Sequence, residues 1–98
     1  MSPKPRIRPE AERDIGGAAA WYEGQREGLG HEFLDEVART IKLIARTPSL
    51  YPLVHRQTRR ALLNRFPFAV FYRVDGQQLM VVAVMHAKRS PRHWKSRE

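Results

Sequence analysis

The sequence predicts an α+β fold in which a short N-terminal strand and a helical hairpin precede a three-stranded antiparallel sheet, in the order β-α-α-β-β-β. Apolar residues recur at helical spacing before residue 46 and alternate with a period of two after residue 59. The pair Asp75-Gly76, which is typical of tight β-hairpins, separates the last two strands. At 98 residues, the chain is expected to form a single domain over residues 1–98.

The N-terminal segment predicts an edge strand followed by a helix. Pro3, Pro5 and Pro9 bracket a short charged stretch around Ile7, and prolines are tolerated mainly in edge strands. Pro9 also suits the first turn of a helix, where its missing N–H has no intrahelical partner to lose. This helix is expected to extend to about Gln25. Its apolar stripe consists of Ala11, Ile15, Ala18, Ala19 and Tyr22.

A second helix is expected over residues 31–46, after a turn at residues 28–30. Apolar residues recur there at spacings of four, four and three, as one face of a helix requires: Phe33, Val37, Ile41 and Ile44. Pro48 and Pro52 interrupt the pattern. Residues 47–58 are therefore expected to form an ordered loop.

Three strands are expected over residues 59–65, 68–74 and 78–86. The last is apolar at nearly every position from Leu79 to Met85, so both of its faces should be buried. The helical hairpin covers one face only. The second face is expected to carry Ala69, Phe71, Met80, Val82 and Val84. The C-terminal tail, a second copy of the chain and a different protein are candidates to cover it, and we expect a partner protein.

Composition excludes several classes of protein. The chain has no cysteine, which excludes disulfides, thiol catalysis and cysteine-based zinc sites. It has no apolar run of about 20 residues and no apolar stretch behind its basic N-terminus, so we expect a cytoplasmic protein without a membrane span or signal peptide. Its four histidines lack the spacing of metal ligands and no glycine-rich phosphate loop is present, so we expect neither a metal nor a cofactor.

All of the excess positive charge lies in the second half of the chain. Residues 1–50 carry eight basic and eight acidic side chains, whereas residues 51–98 carry ten basic and two acidic ones. Most of the cations are arginines, whose planar guanidinium suits phosphate and carboxylate groups. The charge indicates a polyanion or an acidic protein as partner; the alternative is a basic surface that only promotes solubility.

The densest group of functional side chains follows the last strand, over residues 86–94, with the sequence H-A-K-R-S-P-R-H-W. Its cations suit phosphates, and Trp94 offers a stacking surface for a base or, more commonly, covers the sheet. His86 is a candidate general acid or base. The commoner alternative for such a histidine is a hydrogen bond to the backbone at the strand end.

Four fragments resemble one known family. They are W-Y-E-G-Q-R-E-G-L-G-H-E-F-L-D-E-V (21–37), P-S-L-Y-P-L-V (48–54), R-R-A-L-L-N-R-F-P-F-A-V-F-Y-R-V (59–74) and the motif at 86–94. Together they cover nearly the whole chain in the order found in the ParE/RelE superfamily, the toxins of bacterial type II toxin–antitoxin systems, also called plasmid stabilisation proteins. The chain resembles the ParE-like members more closely.

The resemblance implies a small α+β toxin in a hetero-oligomer with a cognate antitoxin, whose C-terminal segment wraps it. The antitoxin would supply the expected cover for the second face of the sheet. Two activities occur in the superfamily. RelE-like members cleave messenger RNA on the ribosome, and ParE-like members inhibit DNA gyrase without being nucleases.

The sequence departs from the RNA-cleaving pattern at Ala69, where those members commonly carry an arginine, and at His93-Trp94, where they tend to carry a tyrosine. We therefore expect a gyrase inhibitor that is not itself an enzyme. Its expected target-binding residues are Arg59, Arg65, Lys88, Arg92, His93 and Trp94. One alternative is an endoribonuclease with His86 as base and Arg60 and Arg89 on the phosphate. The other is a non-toxic, basic nucleic-acid-binding module.

Overall fold

The computed structural model of the protein describes residues 4–97. Its elements are β1 (Lys4–Ile7), α1 (Pro9–Gln25), α2 (Leu29–Arg46), β2 (Leu53–His55), β3 (Thr58–Leu62), β4 (Phe68–Asp75), β5 (Gln78–His86) and α3 (Arg92–Lys95). The predicted α+β order of strand, helical hairpin and sheet is confirmed. Pro3, placed by the sequence beside the first strand, lies outside the described residues. Over residues 4–97, no helix has the length and apolarity that crossing a membrane requires.

The two long helices approach each other closely at the start of α2. Gly28 precedes that helix with a φ of 88°, a conformation that glycine adopts without strain. A Cβ on Gly30 would lie 2.5 Å from the carbonyl oxygen of Ala19 in α1. The Glu23 carboxylate accepts hydrogen bonds from the N–H groups of Gly28 and Gly30, at 2.9 and 3.0 Å. These bonds satisfy donors that the first turn of α2 leaves without a helical partner.

The sheet has five strands in the order β1-β5-β4-β3-β2. β1 is parallel to β5, and the other neighbours are antiparallel. The prediction of three strands after the hairpin is wrong, because β2 lies within the segment 47–58 that was expected to be a loop. Three residues are too few to show an alternating pattern. β2 is defined by its pairing with β3, in which Leu53 lies opposite Arg59 and His55 opposite Thr58.

The main core lies between the helices and one face of the sheet. The stripe expected on α2 is buried there, as the spacing predicts: Phe33, Val37, Ile41 and Ile44. The sheet contributes Val70, Tyr72, Leu79 and Val81. The ring of Phe33 packs edge-on against Phe66 and Phe68, with ring centroids 5.2 Å apart in both pairs. This aromatic group fixes the hairpin over the end of the sheet where β4 begins.

A bulge in β5 changes which face its side chains occupy. Phe71 pairs with Ala83 and Tyr72 with Val81, so Val82 is an extra residue in the ladder. Beyond the bulge, Val84 packs in the main core on the helical side. The prediction that Val84 lies on the second face is therefore wrong. Strict alternation along the strand makes no allowance for an inserted residue.

The second face of the sheet is covered by the chain's own C-terminal segment. Trp94 of α3 is 5% exposed and stacks on Phe71, with centroids 4.6 Å apart and ring planes at 19°. Ala69, Phe71 and Val82 are buried beneath this cover, and Met80 is half-buried at its edge. The expectation that a partner must cover this face is wrong, because one large indole and its short helix suffice.

Candidate functional site

A cleft of about 290 Å³ opens between α1 and the end of β5. His86, the last residue of β5, and Arg89 in the following turn line it together with Arg13 of α1. His86 Nδ1 accepts a hydrogen bond from the Lys88 backbone N–H at 3.1 Å. The imidazole also packs edge-on against Phe68, at 5.8 Å between centroids. His86 thus makes the backbone hydrogen bond that is the common alternative to a catalytic role.

Arg60 lies on the opposite face of the sheet from this cleft. It pairs with Phe71, on the face that α3 covers. His86 pairs with Phe68, whose side chain packs on the helical side. The structure therefore brings His86 and Arg89 to one cleft and leaves Arg60 apart from them. The Arg60 Nε is buried and has no hydrogen-bond partner within residues 4–97.

Two of the arginines expected to bind a target are engaged in internal contacts. The Arg59 guanidinium donates to the carbonyl oxygen of Tyr51 at 2.6 Å, which ties β3 to the loop before β2. Arg65 forms an ion pair with Glu32 of α2 at 2.6 Å. A hydrogen bond from Arg65, and a smaller contribution from a hydrogen bond with Arg26, hold the pKa of the Glu32 carboxyl below its ordinary value. Both guanidiniums therefore hold structural elements of the protein together: Arg59 joins β3 to the loop before β2, and Arg65 joins the segment after β3 to α2.

The exposed cations of the predicted target surface lie on the C-terminal segment. Lys88 and Arg92 are exposed, His93 is half-buried and Trp94 is buried. Lys95, which the sequence analysis did not single out, is exposed and has its ammonium 6.0 Å from the centre of the Trp94 ring. The structure thus concentrates accessible positive charge around α3, while the indole is used for packing.

A partly buried ion pair anchors this segment to α1. Arg97 donates to the two carboxylate oxygens of Asp14, at 2.6 and 3.2 Å, and to the Val82 carbonyl oxygen at 3.3 Å. Arg8 in turn donates to the backbone carbonyl of Arg97. A paired guanidinium and carboxylate form strong, charge-assisted hydrogen bonds. Sequence reasoning missed the pair, since residues 83 positions apart carry no local signal that joins them.

Comparisons with known proteins agree with this fold. A family model described as the ParE toxin of type II toxin–antitoxin systems matches residues 6–91. A chain of the chromosomal ParDE system from P. aeruginosa superposes with a TM-score of 0.75 at 16% identity, over 87% of this chain and 96% of that one.

A chain of the toxin–antitoxin complex RelBE2 from Mycobacterium tuberculosis gives a TM-score of 0.60, also at 16% identity, over 88% of this chain and 99% of that one. A sequence search of curated proteins gave no match. At this identity the two structures establish a common fold. The family model covers most of the residues, and the chain therefore belongs to the ParE toxin family of type II toxin–antitoxin systems.

Proposed function

We propose that this toxin acts by binding DNA gyrase and that it does not cleave RNA. The observation that carries the proposal is the separation of Arg60 from His86 by the thickness of the sheet. The ribonuclease alternative takes His86 as base and places Arg60 and Arg89 on the same phosphate. Because Arg60 and His86 lie on opposite faces of the sheet, these three residues do not meet at one phosphate.

The contact surface for the target is proposed to be the cationic segment around α3. Lys88 and Arg92 are exposed there, and they form no side-chain hydrogen bond or ion pair within residues 4–97. Positive charge on a rigid, packed segment favours rapid encounter with an acidic protein surface. The stacked Trp94 supplies the rigidity, because it fixes α3 on the sheet.

A cognate antitoxin is the second proposed partner, because the solved relatives are described as a ParDE system and a RelBE2 complex. Of the five residues expected to bind the antitoxin, only Met80 is not fully buried. Contact with Ala69, Phe71 or Val82 would require the antitoxin to displace α3. Co-expression with the neighbouring open reading frame should give a stable complex and restore growth.

Supercoiling of relaxed plasmid by purified gyrase tests the proposed target. The wild-type protein should inhibit the reaction, and His86→Ala should inhibit it equally. Lys88→Glu with Arg92→Glu should raise the concentration needed for inhibition by roughly tenfold or more, since each change places like charge at the contact. Arg46→Glu, at an exposed position at the end of α2, is the matched control.

Expression of the toxin alone in bacteria separates the alternatives. Filamentation with a DNA-damage response agrees with gyrase as the target. Rapid translation arrest with messenger cleavage that His86→Ala abolishes would overturn the proposal in favour of an endoribonuclease. Harmless expression would favour a basic nucleic-acid-binding module without toxicity.

A further inference from the structure

The cleft between α1 and β5 carries positive charge from two separate elements. Arg13 reaches it from α1, and Arg89 reaches it from the turn after β5. Both residues are exposed, and neither guanidinium has an ion pair or hydrogen bond within residues 4–97. Two free guanidiniums on one small cleft repel each other. An anion between them would relieve this repulsion.

His86 adds a third donor to the same cleft. Its Nδ1 is occupied as the acceptor of the Lys88 N–H, so in the neutral imidazole the proton resides on Nε2. This hydrogen bond and the edge contact with Phe68 orient the ring. The histidine therefore offers a positioned N–H donor beside the two arginines.

The one carboxylate in the cleft does not oppose an anion. Both oxygens of Asp14 accept hydrogen bonds from Arg97, and Oδ2 also accepts the backbone N–H of Val84 at 3.1 Å. The negative charge is thus compensated by Arg97 before any ligand arrives. The cleft keeps the net charge of its two free arginines.

The remaining walls are apolar and leave room for more than one small ion. Ala18, Phe68, Val84 and Met85 line the cleft, and Gly17 of α1 contributes no side chain. A Cβ built on Gly17 would meet nothing within 4 Å. Apolar walls with a few convergent polar groups are typical of sites for small organic ligands.

We propose that this cleft binds a phosphate group, carried by a mononucleotide or by a nucleic-acid strand. A planar carboxylate is matched by a single guanidinium fork. Here three donors come from a helix, a strand end and a turn, an arrangement that suits the several oxygens of a tetrahedral phosphate. The apolar walls suit the attached ring system. The inference is independent of the toxin's target, since it uses neither Lys88 nor Arg92.

Titration of the full-length protein with inorganic phosphate, AMP and a six-nucleotide single-stranded RNA tests the proposal. Amide NMR shifts locate the binding, and calorimetry measures affinity. Phosphate and AMP should shift the amides of His86 and Arg89, and Arg13→Ser and Arg89→Ser should each weaken AMP binding by roughly tenfold. Arg46→Ser is the control and should bind as the wild type does.

The three probes also identify the source of the phosphate. Tighter binding of AMP than of the RNA at the cleft assigns a mononucleotide, and the reverse order assigns a strand. If none of the probes shifts the cleft amides, or if Arg13→Ser and Arg89→Ser bind AMP as the wild type does, the proposal is overturned.

A pair of glycine variants tests the cleft without removing charge. Gly17→Gln fills the cleft, whereas Gly16→Gln places the same side chain on the neighbouring exposed position outside it. Neither position has an atom in the way, and both changes raise helix propensity. Both variants should fold, and only Gly17→Gln should lose AMP binding. Equal binding by the two variants would contradict the proposed location.

Discussion

Tyr72 shows how burial changes the chemistry of one side chain. The residue is fully buried between the sheet and the loop after α2, and its hydroxyl donates a hydrogen bond to the Pro48 carbonyl. Burial removes the phenolate from water and raises the pKa of Tyr72 to about 12, although the charge of Arg59 acts in the opposite direction. The hydroxyl therefore keeps its proton well into the alkaline range.

The protein is expected to lose stability above about pH 10 through Tyr72. The unfolded chain releases this proton near pH 10, whereas the folded chain holds it to about pH 12. Between these values the folded state binds the extra proton, so the free energy of unfolding falls by up to about 1.4 kcal/mol per pH unit. Urea unfolding near pH 8, 10 and 11 measures the fall. The Tyr72→Phe variant should show a smaller fall in the free energy of unfolding over this pH range. An equal fall in the variant and the wild type would contradict the assignment of this pH dependence to Tyr72.

The sequence analysis identified His86 and Arg89, which line the cleft, but not the residues of α1 that line it with them. His86 and Arg89 are three positions apart, so their proximity follows from the chain itself. Arg59 and Arg60 are adjacent in β3, so strand alternation places them on opposite faces of the sheet. Whether Arg60 shares a face with His86 depends on the register of β3, β4 and β5 together. That register includes a bulge, and no single strand encodes it.

The contact between α1 and α2 depends on the absence of a side chain at Gly30. A methyl group there would lie 2.5 Å from the Ala19 carbonyl oxygen, which belongs to the backbone and has little freedom to move. Gly30→Ala should therefore lower the free energy of unfolding by about 1–3 kcal/mol, as overpacking does. Gly16→Ala meets no atom within 4 Å and should raise it by about 0.5–1 kcal/mol. Urea denaturation of both variants checks the contrast, and destabilisation of equal size in both would refute it.

Long, periodic elements were predictable from the sequence, and short ones were not. The stripe on α2 repeats over about three turns, and Asp75-Gly76 marks the β4–β5 hairpin, so both were found. β2 has three residues, and it is a strand because β3 offers it a partner. The bulge at Val82 likewise follows from pairing with β4. Features that depend on tertiary pairing leave little pattern in their own residues.

At the scale of the whole molecule, the chain closes both faces of its sheet by itself. Apolar residues on both sides of β5 correctly indicated burial of the two faces. The sequence offered the C-terminal tail with Trp94 as one candidate cover, but the other residues of the tail are mostly charged or polar and carry no pattern that fixes where the segment lies. Its place is fixed by Arg97 and Asp14, which lie at opposite ends of the chain. One arginine of the cationic second half therefore has a structural role, because the Arg97 guanidinium binds Asp14 and holds the C-terminal segment against α1.

Removal of the Trp94 indole should expose the second face and destabilise the whole fold. Trp94 is 5% exposed and stacks on Phe71, so Trp94→Ala should lower the free energy of unfolding by about 3–5 kcal/mol. It should also increase binding of a hydrophobic dye. Trp21 is 61% exposed and is the matched control, since Trp21→Ala should change stability by less than about 1 kcal/mol. Urea unfolding and dye fluorescence of the two variants measure the difference. If Trp94→Ala unfolds at the wild-type urea concentration and binds no additional dye, α3 is not the cover on which the sheet depends.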